Sequence, residues 1–271
     1  MTRRTVGIAS VIWGVSILLS RLIGLIRESV IGRTLGGGSE ADAYWTAFVL
    51  PDFLNYLLAG GVLSIVFIPI FSGYLAEGKK DEAWRSFSTI ANVLTLTMVC
   101  LTAILWATVP DLTPLVAPGI TGDERLLLNE LVRIILPAQI FHLTGGLLSA
   151  TLQAQDKHLL PALAPLVYTG CIILGGLFLG EALGAKGFAW GVLIGSILGP
   201  FGLPLVGAIR SGLHWQIRFS FRHSDLKTYL LLSLPVMLGF SIIVLDDMLL
   251  KHFGSSISEG VISRLQYAKT L

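Results

Sequence analysis

The chain carries a succession of apolar segments that are each long enough to cross a membrane. A transmembrane helix needs about 20 mainly apolar residues, and seven such segments precede an eighth that begins near residue 257. The composition agrees, with 54% hydrophobic and 13% charged residues, where a soluble domain has about 25% charged residues. The sequence therefore predicts an all-α polytopic membrane protein with about eight transmembrane helices. The first seven segments cover residues 6–31, 41–75, 86–109, 126–152, 159–180, 186–208 and 228–252.

The second segment, residues 41–75, is too long for a simple span. Pro51 and the stretch Ala59-Gly60-Gly61 lie within it, and proline and glycine weaken the hydrogen-bond ladder of a helix. We predict a bent or interrupted helix, which membrane proteins tolerate against protein or a water-filled cavity. The sequence "LGGGSE" at 35–40 precedes this segment and is predicted to end the first helix.

Basic residues are distributed unequally between the two ends of these spans. With the N-terminus in the cytoplasm, ten lysines and arginines lie at cytoplasmic ends and four at the opposite ends, a clear positive-inside bias. We therefore predict a cytoplasmic N-terminus and a retained first helix, because no small-residue cleavage site follows its apolar run before Arg21. The same rule explains the basic, aromatic loop at 209–227, so nucleic acid is not predicted as a partner. That loop either lies on the membrane surface or is an irregular polar connector.

Three charged residues lie within the first span, and ionisable residues at membrane depth are functional-site hypotheses because each needs a partner or water. Arg21 and Glu28 are seven residues apart and share a helix face, separated by about 10 Å along the axis. Arg27 points from a different face. A structural interpretation is the alternative, since Arg27 and Glu28 could reach the outer interface or pair with Asp42 and Asp52 of the second span.

Asp246 and Asp247, late in the seventh span, have two interpretations. They could form a cation or proton site exposed to a central cavity, or they could lie near the outer interface, held by Lys251 and water.

The sequence does not predict an enzyme. The segment "DDMLLK" at 246–251 lacks the third carboxylate and the second copy that an aspartate-rich magnesium–diphosphate site needs. The five histidines show no metal-site spacing, and none accompanies a serine or cysteine nucleophile in a recognisable pattern.

Several blocks of the sequence resemble the MurJ/MviN family of lipid II flippases, which belong to the multidrug/oligosaccharidyl-lipid/polysaccharide exporter superfamily. The similarity extends over nearly the whole chain, and the block at 147–169 is its most specific element. The blocks are "SRLIGLIRE" at 20–28, "GRTLGGGSEADAYWTAFVLPDFLNYLLAGGVLSIVFIPIFSGY" at 32–74, "VAPG" at 116–119, "LLSATLQAQDKHLLPALAPLVYT" at 147–169 and "SEGVISRLQYAKTL" at 258–271.

The resemblance implies a two-lobed transporter of the bacterial inner membrane, with fourteen helices around a central cationic cavity. Residues 1–210 would form the N-terminal six-helix lobe, 211–227 a cytoplasmic amphipathic connector, and 228–271 the start of the second lobe. Alternating access would carry a lipid-linked anionic saccharide across, among membrane lipids, driven by membrane potential or by a coupling ion, Na⁺ or H⁺. A chain of about eight spans would then be a fragment or would assemble with a second chain that supplies the missing helices.

The resemblance also assigns roles to individual residues. Arg21 and Arg27 match two cavity arginines that would bind the diphosphate as charge-assisted donors. Asp42 matches an aspartate thought to gate against an arginine, and Asp246 or Asp247 matches an aspartate of a cation site in some members. Asp42, Asn55 and Lys269 are further substrate-binding candidates, while Glu28 and Asp52 are candidates for structural or gating partners.

The sequence departs from the family pattern at positions of the expected substrate site. Asn55 and Tyr56 stand where two basic residues are usual, and Gly60 replaces a glutamate. In the eighth span, Lys269 and Thr270 replace an aspartate and an arginine. Two hypotheses follow: a flippase for lipid II or a related polyprenyl-diphosphate-linked saccharide, and a non-transporting, flippase-like scaffold or partner subunit in cell-envelope assembly.

Overall fold

The computed structural model describes residues 3–58, 63–217, 219–220 and 222–270. These residues form twelve α-helices and two π-helical stretches, Leu63–Phe67 and Ile197–Gly202. The helices are α1 (Arg3–Leu35), α2 (Ser39–Thr46), α3 (Val49–Leu58), α4 (Ile68–Ala76), α5 (Lys80–Val116), α6 (Gly122–Ile135), α7 (Ala138–Gln153), α8 (Leu159–Leu183), α9 (Ala185–Ser196), α10 (Leu203–Arg210), α11 (Ser224–Ile257) and α12 (Val261–Thr270).

The predicted all-α fold is confirmed, and the apolar segments coincide with helices. Within the described part of the chain, four helical stretches are long and apolar enough to cross a bilayer. The helices extend beyond the predicted spans; α5, for example, begins at Lys80 rather than at 86. Its polar first turn contains Asp81 and Glu82, which stabilise a helix N-terminus through the helix dipole. The four stretches are Lys80–Val116, Gly122–Gln153, Leu159–Leu183 and Ala185–Arg210.

The predicted interruption of the second span is also confirmed. Residues 47–48 separate α2 from α3, so Pro51 falls in the first turn of α3, where a missing N–H costs no helical hydrogen bond. A π-helical stretch, Leu63–Phe67, then leads into α4, whose first turn contains Pro69. The stretch Ala59-Gly60-Gly61 lies outside the described residues.

The first helix ends at a glycine, as predicted from "LGGGSE". Gly36 has φ +68°, a left-handed conformation that glycine adopts without strain. Its N–H donates to the carbonyl oxygen of Gly32 at 3.0 Å, which closes the last turn of α1.

Glycines allow several helices to pack with their backbones close together. A Cβ atom at Gly191 of α9 would lie 2.7 Å from the carbonyl oxygen of Cys171 in α8. A Cβ atom at Gly145 of α7 would overlap with the carbonyl oxygen of Pro200 in the second π-helical stretch. Small residues at such contacts are the usual means of close helix packing in membranes.

The loop between α10 and α11 is fixed against α5. The indole of Trp215 donates to Oδ1 of Asn92 at 2.8 Å, and the Asn92 amide donates to the carbonyl oxygen of Gln216 at 2.7 Å. The backbone N–H of Gln216 donates to Oγ of Ser88 at 3.1 Å. Residues 213–217 have no regular secondary structure, so these side chains of α5 supply hydrogen bonds that the loop backbone lacks.

We expect Gly145→Ala to lower the free energy of unfolding by about 1–3 kcal/mol, because the new methyl group must displace the backbone at Pro200. Thermal unfolding of the purified protein in detergent measures this effect. Gly170→Ala on α8 is the matched control, since no heavy atom of the described residues lies within 4 Å of its Cβ position. Equal melting temperatures for the two variants would contradict the close packing of α7.

Candidate functional site

A polar cavity of about 400 Å³ lies between α1, α2, α3, α8, α11 and α12. Aromatic side chains from α2, α3 and α8 form part of its lining, among them Tyr44, Trp45, Tyr56 and Tyr168. The rings of Tyr44 and Trp45 contact each other edge to face, with centroids 5.2 Å apart. The charged residues of the lining are Arg27, Asp52, Asp246, Asp247, Lys251 and Lys269.

The charges around this cavity balance. Three of the charged lining residues are basic and three are acidic. The family resemblance implies a cationic cavity, but the part of the lining that the structure describes has no net charge. Attraction of an anion here therefore depends on which basic groups have donors left over after pairing.

Arg27 enters the cavity from α1 and pairs with the next residue in the chain. Its Nη2 donates to Oε1 of Glu28 at 2.5 Å. Glu28 is nearly buried, whereas 28% of the Arg27 side chain is exposed. A guanidinium carries five N–H donors, so a single bond to Glu28 leaves donors that a ligand in the cavity can use.

Asp247 lies between two lysines. Its Oδ2 accepts from Nζ of Lys251, four residues later on α11, and its Oδ1 lies 3.9 Å from Nζ of Lys269 on α12. The Lys251 side chain is only 4% exposed, while that of Lys269 is 47% exposed. Lys251 is therefore the close partner of Asp247, and Lys269 is the more accessible cation.

Asp42 does not line the cavity but holds the start of α12. Its Oδ2 accepts from the backbone N–H of Gly260, and its Oδ1 from the backbone N–H of Ser263, each at 2.7 Å. A carboxylate at a helix N-terminus satisfies amides that have no partner within the helix and interacts favourably with the helix dipole. The partners that the structure gives Asp42 are thus backbone amides, whereas the resemblance implied an arginine.

Other polar contacts connect the turns at the same end of the molecule. They join the turn after α1 to the turn before α12, the start of α2 to the start of α9, and the loop before α6 to the end of α11. The contacts are Ser39 N–Glu259 Oε1 at 3.0 Å, Ala185 N–Glu40 Oε1 at 2.7 Å and Gly119 N–Ser255 Oγ at 3.2 Å.

Besides Asp42, two further substrate-binding candidates are outside the cavity lining. Arg21 is exposed and lines a separate, open groove of about 360 Å³ between α1 and α8, next to Ser16 and Pro165. Asn55 of α3 is half-buried, but the cavity lining from this helix includes Asp52 and Tyr56 instead. Of the residues predicted from sequence, the structure brings together Arg27, Asp52, Asp246, Asp247 and Lys269.

Several cavity residues are not predicted from the sequence. Tyr44, Tyr168 and Gln266 carry no charge, so nothing in an apolar span distinguished them from packing residues. For Lys251, the sequence predicts only a role as a partner of the aspartates. Its spacing of four residues from Asp247, which places both on one helix face, was the available signal.

We expect Asp42→Ala to destabilise the protein by about 1–2 kcal/mol, because the backbone amides of Gly260, just before α12, and of Ser263, in its first turn, lose their acceptor. Amide hydrogen exchange measured by mass spectrometry should be faster in the peptide containing Gly260 and Ser263. Asp111→Ala, which removes an exposed carboxylate of α5, is the control. Unchanged exchange at the start of α12 in the Asp42 variant would contradict this role.

Comparisons with known proteins match this chain to one family. The family model described as "Lipid II flippase MurJ" matches residues 31–271. The lipid II flippase MurJ of Burkholderia cenocepacia is 27% identical over 262 residues, covering 94% of this chain and 51% of the relative. A probable lipid II flippase MurJ of Rickettsia prowazekii is 29% identical over 254 residues, covering 92% of this chain and 49% of the relative.

Solved structures show the same fold. A structure titled "Lipid II flippase MurJ, inward closed conformation" superposes with a TM-score of 0.79 at 25% identity, covering 96% of this chain and 54% of that one. An inward-facing MATE family transporter of the MOP superfamily superposes with a TM-score of 0.68 at 16% identity, covering 92% and 57% respectively.

The chain spans about half the length of the curated relatives that it matches. Its apolar helices and its relatives indicate a protein of the bacterial inner membrane. Because the family model covers residues 31–271, most of the chain, the chain belongs to the MurJ lipid II flippase family.

Proposed function

We propose that this chain forms a substrate-contacting part of a transporter that flips lipid II, or a related polyprenyl-diphosphate-linked saccharide, across the inner membrane. The observation that carries this proposal is the position of Arg27, a partly exposed cation in a polar cavity within a MurJ-family fold. The protein acts as a carrier and not as an enzyme, in keeping with the flippase names of its relatives.

Arg27 and Lys269 bind the diphosphate of the substrate. Both line the cavity, and both side chains are partly exposed, whereas those of Glu28 and Lys251 are nearly buried. A diphosphate offers several oxygen acceptors, and charge-assisted hydrogen bonds from a guanidinium or an ammonium are the strong class of such bonds. Arg21, in its separate groove, contacts the substrate only in another arrangement of α1 and α8.

Transport proceeds by alternating access, in which one end of the cavity closes while the other opens. With a cytoplasmic N-terminus, the turns joined by Asp42, Glu40 and Glu259 lie at the outer face of the membrane. Release of the bonds between Asp42 and α12 then accompanies opening toward that face. The six helical spans up to residue 210 and the segment from 228 form the two units that move.

We expect Arg27→Ala to abolish growth support in cells depleted of their own lipid II flippase, since loss of a charge-assisted contact weakens binding by about tenfold or more. The unmutated protein should restore growth, and Arg33→Ala, an exposed arginine on the same helix outside the cavity, should do so as well. Immunoblots of membranes establish equal protein levels.

Full growth with Arg27→Ala would contradict a binding role for this arginine. Failure of the unmutated protein to restore growth, at normal membrane levels, would show that this chain does not transport on its own. That result would favour either a transporter completed by a second chain or the alternative, a non-transporting partner in envelope assembly.

We expect alkaline phosphatase to be active when fused after Gly119 and inactive when fused after Gly212, because this enzyme needs the oxidising periplasm for its disulfides. Gly119 lies in the loop between α5 and α6, and Gly212 follows α10. The reverse pattern of activity would overturn the cytoplasmic N-terminus.

A further inference from the structure

Lys251 is a buried lysine within the proposed substrate cavity. It is 3% exposed overall, although lysine is almost never fully buried unless it is paired. Its ammonium donates to Oδ2 of Asp247, one turn earlier on α11. The same cavity is also lined by Asp52 of α3, Asp246 of α11, Arg27 of α1 and Lys269 of α12.

This pairing leaves little room for a metal cation at Asp247. A Na⁺ or another coupling cation binds a carboxylate because the negative charge is otherwise uncompensated. Here the ammonium of Lys251 already compensates the charge of Asp247. It also donates a hydrogen bond to this carboxylate, which a bound cation would have to displace. Displacement would also leave a buried, unpaired ammonium, which is strongly unfavourable. Asp247, paired in this way with Lys251, therefore does not fit a coupling cation.

Lys269 has a different relation to the same carboxylate. Its Nζ lies 3.9 Å from Oδ1 of Asp247, beyond hydrogen-bond distance, and almost half of its side chain is exposed. Because Lys251 already neutralises Asp247, Lys269 can turn to an anion in the cavity without leaving a carboxylate unpaired.

We propose that Lys251 is a built-in counter-ion that takes the place of a coupling cation at Asp247, so that the cavity receives its anionic ligand without Na⁺ bound to this carboxylate. Because Lys251 already pairs with Asp247, Lys269 is free to bind the ligand as a second cation, in addition to Arg27. Lys251 acts through Asp247 and Lys269 and is a positioning residue. This inference rests on the proposed function only in its statement about the anionic ligand; the statement about Na⁺ concerns the protein alone.

The test measures Na⁺-specific stabilisation of the purified protein in detergent. Melting temperatures are compared in NaCl, KCl and choline chloride at equal concentrations, with no lipid substrate present. We expect the unmutated protein to melt at the same temperature in all three salts. Lys269→Gln is the matched control, because it removes one cavity lysine but leaves Lys251 on Asp247, and it should also show no Na⁺ effect.

The decisive variant removes both lysines, so that Lys269 cannot take over from Lys251. We expect Lys251→Gln/Lys269→Gln to melt about 3–5 °C higher in NaCl than in choline chloride, because Na⁺ now binds the uncompensated Asp247. Adding Asp247→Asn should abolish this difference. Absence of a Na⁺ effect in the double-lysine variant would overturn the proposal.

A folding failure of the double-lysine variant would leave a second route. Na⁺-specific stabilisation of the unmutated protein that disappears in Asp247→Asn/Lys251→Gln would overturn the proposal, and salt-independent melting of both proteins would support it. These measurements need no transport, so their failure is distinguishable from failure of the growth assay with Arg27→Ala.

Discussion

The cost of removing a charge from water governs the arrangement of this protein's ionisable groups. Inside a membrane, a charged side chain persists only where a partner, a backbone amide or water compensates it. The structure meets this requirement locally: Glu28 pairs with Arg27, and Lys251 with Asp247. Asp42 is compensated by two amides of a neighbouring helix. The positions of these groups follow from that requirement more directly than from any ligand.

Features that depend on the local sequence could be predicted, whereas features that depend on contacts between distant parts of the chain could not. The helical spans and the break in the second span follow from apolar length and from Pro51, which are local properties of the chain. The end of α1 followed from Gly36 for the same reason. The role of Asp42 could not be predicted, because it depends on the approach of α12, more than 200 residues later in the chain. The separation of Arg21 from Arg27 likewise depends on how α1 lies along α8, which six residues of sequence do not reveal.

A neutral cavity differs in its expected selectivity from a cationic one. A strongly positive site attracts anions from a distance and is weakened by salt. With three acidic and three basic residues, this cavity would select an anion at short range, through individual donors such as those of Arg27. Its aromatic wall, with Tyr44, Trp45 and Tyr168, adds apolar surface next to those donors. Tyrosine and tryptophan combine an apolar ring with one polar atom, a combination that suits the mixed surface of a saccharide.

The attachment of the loop after α10 has a mechanical consequence. Because Trp215 and Gln216 are hydrogen-bonded to Ser88 and Asn92 of α5, the chain is tied down shortly after it leaves α10. The start of α11 is held as well, since the hydroxyl of Tyr74 in α4 donates to Oδ2 of Asp225 at 3.0 Å. The hydrogen bonds of Asn92 thus restrict how far the loop, and the start of α11 that follows it, can move relative to α5. Loss of these hydrogen bonds would allow the loop a wider range of motion without changing any residue that lines the cavity.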